Sequence, residues 1–197
     1  GNSSLYVFYD KNQNVFEMDF ENAFAIDAPP YVLRYNIRNT GSIYKCAVER
    51  TNLGHDTVAN SIVGVHPEIH NYSKPSQAIK ALSLIVNRLV QKEFVSPQSI
   101  VIVSDTPYAN SILAGEERIG AFDLVFKHYK DVTGTEICFK TAEEFKGLEA
   151  NIVIYLTHEF TNLPASSVDS RKDYVALTRA RYYLYVLNTK CKATVGE

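Results

Sequence analysis

Apolar positions in this chain recur in two patterns. Ser99-Ile100-Val101-Ile102-Val103-Ser104, Ile152-Val153-Ile154-Tyr155-Leu156 and Tyr182-Tyr183-Leu184-Tyr185-Val186-Leu187 are continuous apolar runs of strand length. That is the pattern of strands buried on both faces of a parallel sheet. Glu136 to Thr141 reads as a further strand. Helical spacing is clearest where Ile79, Leu82, Ile85, Val86, Leu89 and Val90 line one face up to Glu93, behind an opening Ser73 and Pro75. Ile43, Cys46 and Ala47 mark a second helix reaching about Thr51, with Asn39 or Thr40 as its cap. Helical material is also expected around Tyr108 to Leu113 and from Ser170 to Ala180. Strands alternating with helices predict an α/β domain with a parallel sheet and right-handed crossovers.

The start of the chain is less regular. Leu5 to Tyr9 reads as an aromatic strand ending in the polar turn Asp10 to Asn14, followed by a strand from Val15 to Phe20 and another from Tyr31 to Tyr35. The connector Asp27-Ala28-Pro29-Pro30 between them is the best domain boundary. Ligands of parallel sheets sit at the carboxyl ends of the strands, which directs attention to Thr141 and Thr157.

Length and composition narrow the classes. The 197 residues suit one sizeable domain, or one domain plus a stub of another. With a net charge of −2 there is no basic signature, so any nucleic-acid contact must come from a local groove or a partner domain. Three widely spaced cysteines, Cys46, Cys138 and Cys191, fit a reduced, cytoplasmic setting. His66 and His70 could share a helical face, but Pro67 between them and the lack of H-E-x-x-H argue against zinc. No apolar run reaches the roughly 18 to 20 residues of a membrane span. The first residues lack a signal-peptide core, and no G-x-S-x-G or Cys/His constellation suggests a hydrolase.

The segment richest in chemistry is Tyr174-Val175-Ala176-Leu177-Thr178-Arg179-Ala180-Arg181, which runs straight into an apolar strand. It puts two arginines at a helix-to-strand junction. Arginine keeps its charge and offers a rigid fork of donors, which suits phosphate oxygens. The same segment also fits a surface helix capped by basic residues near its negative end. Phe145-Lys146-Gly147-Leu148-Glu149 precedes another apolar strand, and Gly147 there permits a positive φ and close backbone approach.

Read together, Asp10-Lys11-Asn12-Gln13, Asn36-Ile37-Arg38-Asn39-Thr40, Thr141 through Glu149 and Tyr174 through Arg181 resemble motifs III, IV, V and VI of superfamily 1 DNA helicases of the UvrD/Rep type. Order and spacing fit over nearly the whole chain. The resemblance implies a RecA-like, P-loop-NTPase-type parallel sheet with helices on both faces. Residues 1–28 would be the end of a first helicase domain and its connector, and residues 29–197 the second RecA-like domain. Such helicases bind ATP and Mg²⁺ between two domains and move along single-stranded DNA. This chain has no G-x-x-x-x-G-K-[ST] and no D-E-x-Q after a strand, so it would supply half of the ATP site and be inactive alone.

Carried over by position, Arg179 is the arginine finger, Arg38 a second γ-phosphate contact, and Gln13 the link between γ-phosphate and DNA. Glu149 would accept from the ribose hydroxyls, with Gly147 and Lys146 beside the nucleotide. Thr141, Asn39 and Thr40 are the candidate single-stranded DNA contacts. Two positions depart from the family. Ile37 stands where an adenine-stacking aromatic is usual, with Tyr35 two residues back, and Glu143 and Glu144 put carboxylates where a phosphate backbone would pass. Tyr108 and Tyr72 could line a strand groove or simply pack in the core. A degenerate RecA-like module, acting only in protein or nucleic-acid binding, is the other function consistent with these residues.

Overall fold

The continuous apolar runs build the centre of one sheet. A computed structural model describes residues 7–16, 19, 31–158 and 167–189. Its seven strands are β1 (Glu68–Tyr72), β2 (Ile100–Ser104), β3 (Arg118–Ile119), β4 (Phe122–Val125), β5 (Glu136–Thr141), β6 (Ala150–Thr157) and β7 (Ala180–Thr189). They lie in the order β1-β7-β6-β2-β5-β4-β3, and every pairing is parallel except the β3–β4 edge. β2 is buried at all five positions because β-branched side chains face a packed layer on either side.

Alternation along the strands divides the core in two. Ile100, Ile102, Ile152 and Ile154 face one layer, where helix α2 (Pro75–Asn87) inserts Ala78, Leu82, Ile85 and Val86. Val101, Val103, Val153 and Tyr155 face the other, with Ile43, Tyr44 and Ala47 of α1 (Gly41–Thr51) and Tyr174 and Leu177 of α3 (Val168–Thr178). Helices therefore cover both faces of a mostly parallel sheet, as the alternating pattern predicts. No helix among the described residues is long and apolar enough to cross a membrane.

The helix ends follow local chemistry. Pro75 opens α2 where a missing donor costs nothing, after Lys74 rather than Ser73. The helix then passes into a π turn, Arg88–Lys92, that carries Leu89 into the core. Ser167 caps α3 by accepting from the Ser170 N–H at 3.1 Å. α3 is buried almost all round because it lies between β6 and β7 on one side and α1 and the 3-10 turn Lys11–Gln13 on the other.

Several expected elements differ. Tyr31 to Arg34 form no strand: the segment is exposed and touches the rest of the fold through a single bridge, Tyr35 to Val58, so it has no ladder to join. Val15 and Phe16 lie in a turn, and Val7 to Tyr9 lie in irregular backbone rather than a strand. The remainder of those two expected strands, apart from Asp19, and the boundary at Asp27 to Pro30 lie outside the described residues. Tyr108 to Leu113 is a 3-10 turn, Tyr108–Asn110, and not an α-helix. There the Ser111 hydroxyl donates to Tyr108 O and accepts from Leu113 N–H, which offers the backbone an alternative to the helical ladder. His70 lies in β1, 3.4 Å from Glu68, so His66 and His70 share no helical face.

Candidate functional site

The register of β6 and β7 creates the site. Ala150 pairs with Ala180, and the Ala150 N–H donates to Arg179 O at 3.1 Å, so the residues entering the two strands, Glu149 and Arg179, stand side by side. Segment 36–40 lies across the same entry. Arg38 Nε donates to Glu149 Oε2 at 3.1 Å, and Arg181 Nη1 is 3.7 Å from the other carboxylate oxygen. Glu149 is thus the pivot of a cluster with Arg38, Arg179 and Arg181.

Arg179 is the unusual member. It ends α3, is 2% exposed, and is the largest of the fully buried side chains. Its Nη1 donates to Leu148 O at 3.3 Å and its Nη2 to the Gln13 side-chain oxygen, while the buried Nε has no partner. Among the described residues no carboxylate forms an ion pair with it. Burial, with the Arg38 charge nearby, pulls its pKa down to about 10, so at neutral pH it remains charged. A buried cation paired only with neutral oxygens lowers stability and favours the arrival of an anion.

Gln13 is held in turn by Asp10, whose carboxylate accepts from Gln13 Nε2 at 2.7 Å and caps the turn through Asn12 N–H. Gly147 takes φ +88° with open space on its Cβ side, a left-handed position that keeps backbone uncovered beside Glu149. Lys146 extends its ammonium over the Phe16 ring at 5.0 Å.

The expected DNA contacts separate. Thr141 ends β5, in register with Ser104 and hence with Leu156, about 20 Å along the sheet from the arginines at 3.3 Å per residue. There it forms a reciprocal pair with Glu144, accepting from the Glu144 N–H while the Glu144 carboxylate accepts from the Thr141 N–H. Glu143 pairs with Lys172 at 2.7 Å. Both carboxylates in the expected phosphate path are therefore engaged within the fold. Asn39 is 1% exposed and turned inward, with its amide donating to Thr178 O and Ala180 O. Thr40 is 8% exposed, and its hydroxyl has no partner. These two positions line the inside of the arginine entry and not an outer groove. Tyr108 packs against Phe126 and Phe139, and Tyr72 against the α2 core.

The cluster corrects one expectation about location. Arg38, Glu149 and Arg179 meet at the amino ends of β6 and β7, opposite the carboxyl ends where Thr141 and Thr157 lie, because the motif loop crosses back before β6 begins. The inward bonds of Asn39 behind the arginines carry no sequence signal, since they go to the backbone carbonyls of Thr178 and Ala180. No three His, Cys, Asp or Glu side chains among the described residues are grouped to hold a metal ion.

No protein-family model and no curated protein matches the chain. Among solved structures it is similar to the C-terminal domain of a possible DNA helicase from Lactobacillus plantarum WCFS1. The TM-score is 0.51 at 14% identity, over 81% of this chain and 91% of that one. The likeness is one of fold, a mixed α/β domain with a mostly parallel sheet.

Proposed function

We infer that this chain is the second, RecA-like motor domain of an ATP-dependent DNA helicase or translocase of the UvrD/Rep type. It supplies the arginine half of an ATP site whose P-loop belongs to another domain. The observation that carries the reading is Arg179, a buried guanidinium with neutral partners and an unused Nε, flanked by Arg38 and Arg181.

A phosphoryl group in transfer spreads charge over its outer oxygens, and a fixed arginine there is typically worth about 10³ to 10⁵ in rate. Arg179 and Arg38 are within reach of a common anion because Glu149 and the β6–β7 register hold them together. ATP with Mg²⁺ would bring the phosphoryl group, its metal held by acidic residues of the P-loop domain. Rotation of Gln13 away from Arg179 would uncover the guanidinium, which links the Asp10 to Gln13 turn to the phosphate. Glu149 would keep one oxygen on Arg38 and offer its remaining acceptor capacity to the ribose hydroxyls. Thr141 is the remaining candidate for single-stranded DNA, at the far end of the sheet.

The test is ATP turnover in a protein carrying this chain together with a P-loop domain. Arg179→Ala should lower DNA-stimulated turnover at least about 10³-fold while circular dichroism and the unfolding midpoint stay near those of the parent. Retained turnover would remove the arginine-finger reading. A parent with no turnover even with a P-loop domain present would favour the binding-module reading.

A further inference from the structure

The carbonyls on either side of Arg179 share one donor. Asn39 Nδ2 lies 2.8 Å from Thr178 O and 2.6 Å from Ala180 O, so both of its N–H bonds are spent flanking the arginine. The chain leaves a helix for a strand at this point, and carbonyls at a helix end lack intrahelical donors. β1 pairs with β7 only from Tyr185 onward, so among the described residues no strand neighbours the first residues of β7 on that side. Segment 36–40 is the structure that reaches them, and Thr40 N–H donates to Arg181 O at 3.3 Å.

Asn39 is itself fixed. Asn36 Oδ1 accepts from the N–H groups of Asn39 and Arg38 at 3.0 and 3.1 Å, and Asn36 Nδ2 donates to Asn39 Oδ1 at 2.9 Å. Arg38, adjacent in the chain, reaches Glu149, and the residue after Glu149 donates to Arg179 O. The contacts therefore close a ring through both arginines. The short primary amide offers two uncharged donors from one nitrogen at this point; a carboxylate would bring acceptor oxygens against two carbonyls.

We propose that Asn39, braced by Asn36, is a positioning residue that sets the register of Arg179 relative to Arg38 so that both address one phosphoryl group. The proposal rests on the ATP-site reading above, yet its geometric half stands independently. Misplacing a charge-stabilising group by about 1 Å costs about 100-fold in rate while leaving most ground-state binding intact.

The experiment has two arms. In the 197-residue chain labelled with ¹⁵N-arginine, the Nε–H signal of Arg179 is assigned by its loss in Arg179→Ala. Asn39→Ala should move that signal, whereas Gly120→Ala, which strains the turn between β3 and β4 at the opposite edge of the sheet, should leave it in place. An unmoved Arg179 signal in Asn39→Ala overturns the proposal. Should Asn39→Ala fail to fold, Asn36→Ala, which removes the brace and keeps both Asn39 donors, serves in its place under the same criterion. In the second arm, ATP turnover with the P-loop domain present should fall about 10- to 100-fold in kcat, with KM within about threefold. Unchanged kcat in an active parent overturns the proposal. A moved signal with an inactive parent sinks the ATP reading alone and leaves the positioning role standing.

Discussion

Asp173 shows what burial does to a single titratable group in this fold. It is 6% exposed on α3, accepts from the Tyr155 hydroxyl, and has its pKa pushed up to about 7, chiefly by burial and further by Asp105 and Asp169. The unfolded chain releases this proton near the ordinary carboxylate value, about 4, whereas the folded chain keeps it until about pH 7. Between those values the folded state binds more protons, so this group makes stability fall as pH rises, and its contribution levels off above pH 7. The slope is at most about 1.4 kcal/mol per pH unit. Asp173→Asn should abolish it: in urea unfolding at pH 5, 6, 7 and 8, the advantage of the variant over the parent should grow with pH up to about 7. An advantage independent of pH would show that Asp173 titrates normally. Arg179 offers no such window, since with a pKa near 10 it stays charged throughout the physiological range.

The contact between α1 and α3 depends on one backbone conformation between elements. Gly54 follows α1 with φ +81°, its carbonyl accepts from Tyr44 Oη at 2.5 Å, and a Cβ there would lie 2.7 Å from that oxygen and 2.8 Å from Tyr174 Oη. Alanine would incur left-handed strain and also push two buried tyrosines apart. Gly54→Ala should cost about 2 kcal/mol or more in urea unfolding, while Gly147→Ala, at φ +88° with open space, should cost only about 1. Equal costs would mean that the tyrosines yield freely. The same contrast between intrinsic pattern and tertiary contact decides which elements can be read from the sequence. β2, β5, β6 and β7 are legible because burial on both faces demands apolar runs. β1, Glu-Ile-His-Asn-Tyr, is an edge strand with a polar outer side, and the run Tyr31 to Tyr35 is apolar without a ladder partner, so in each case composition points the wrong way. In the site, Arg38, Glu149 and Arg179 are legible through the spacing of their motifs. The inward bonds of Asn39 are not legible, because the carbonyls it binds lie 139 and 141 residues away and leave no trace in residue type.

For the whole molecule, charge and the proposed half-site make a joint prediction. The net charge is −2, while the arginine cluster carries three positive charges against the carboxylates of Glu149 and Asp10, so the entry to β6 and β7 offers a local attraction for anions. Nothing in the overall charge steers a polyanion toward the chain, and the Arg179 guanidinium is held by the Gln13 side chain. Non-specific DNA binding typically falls between about 10⁻⁴ and 10⁻⁶ M at physiological salt, and this chain alone belongs at the weak end or beyond it. ATP should bind the chain alone no better than about 1 mM, since a few arginine contacts without a backbone cradle must offset the cost of ordering the nucleotide. A P-loop domain presents the phosphates at high local concentration, so affinity for a non-hydrolysable ATP analogue should tighten at least about 100-fold when the two domains are joined. Calorimetric titration of the chain alone and of the joined pair reads both quantities. Low-micromolar ATP binding by the chain alone would mean a complete nucleotide site within these 197 residues, contrary to the half-site, whereas equal weak binding in both would leave the arginines without a nucleotide to address.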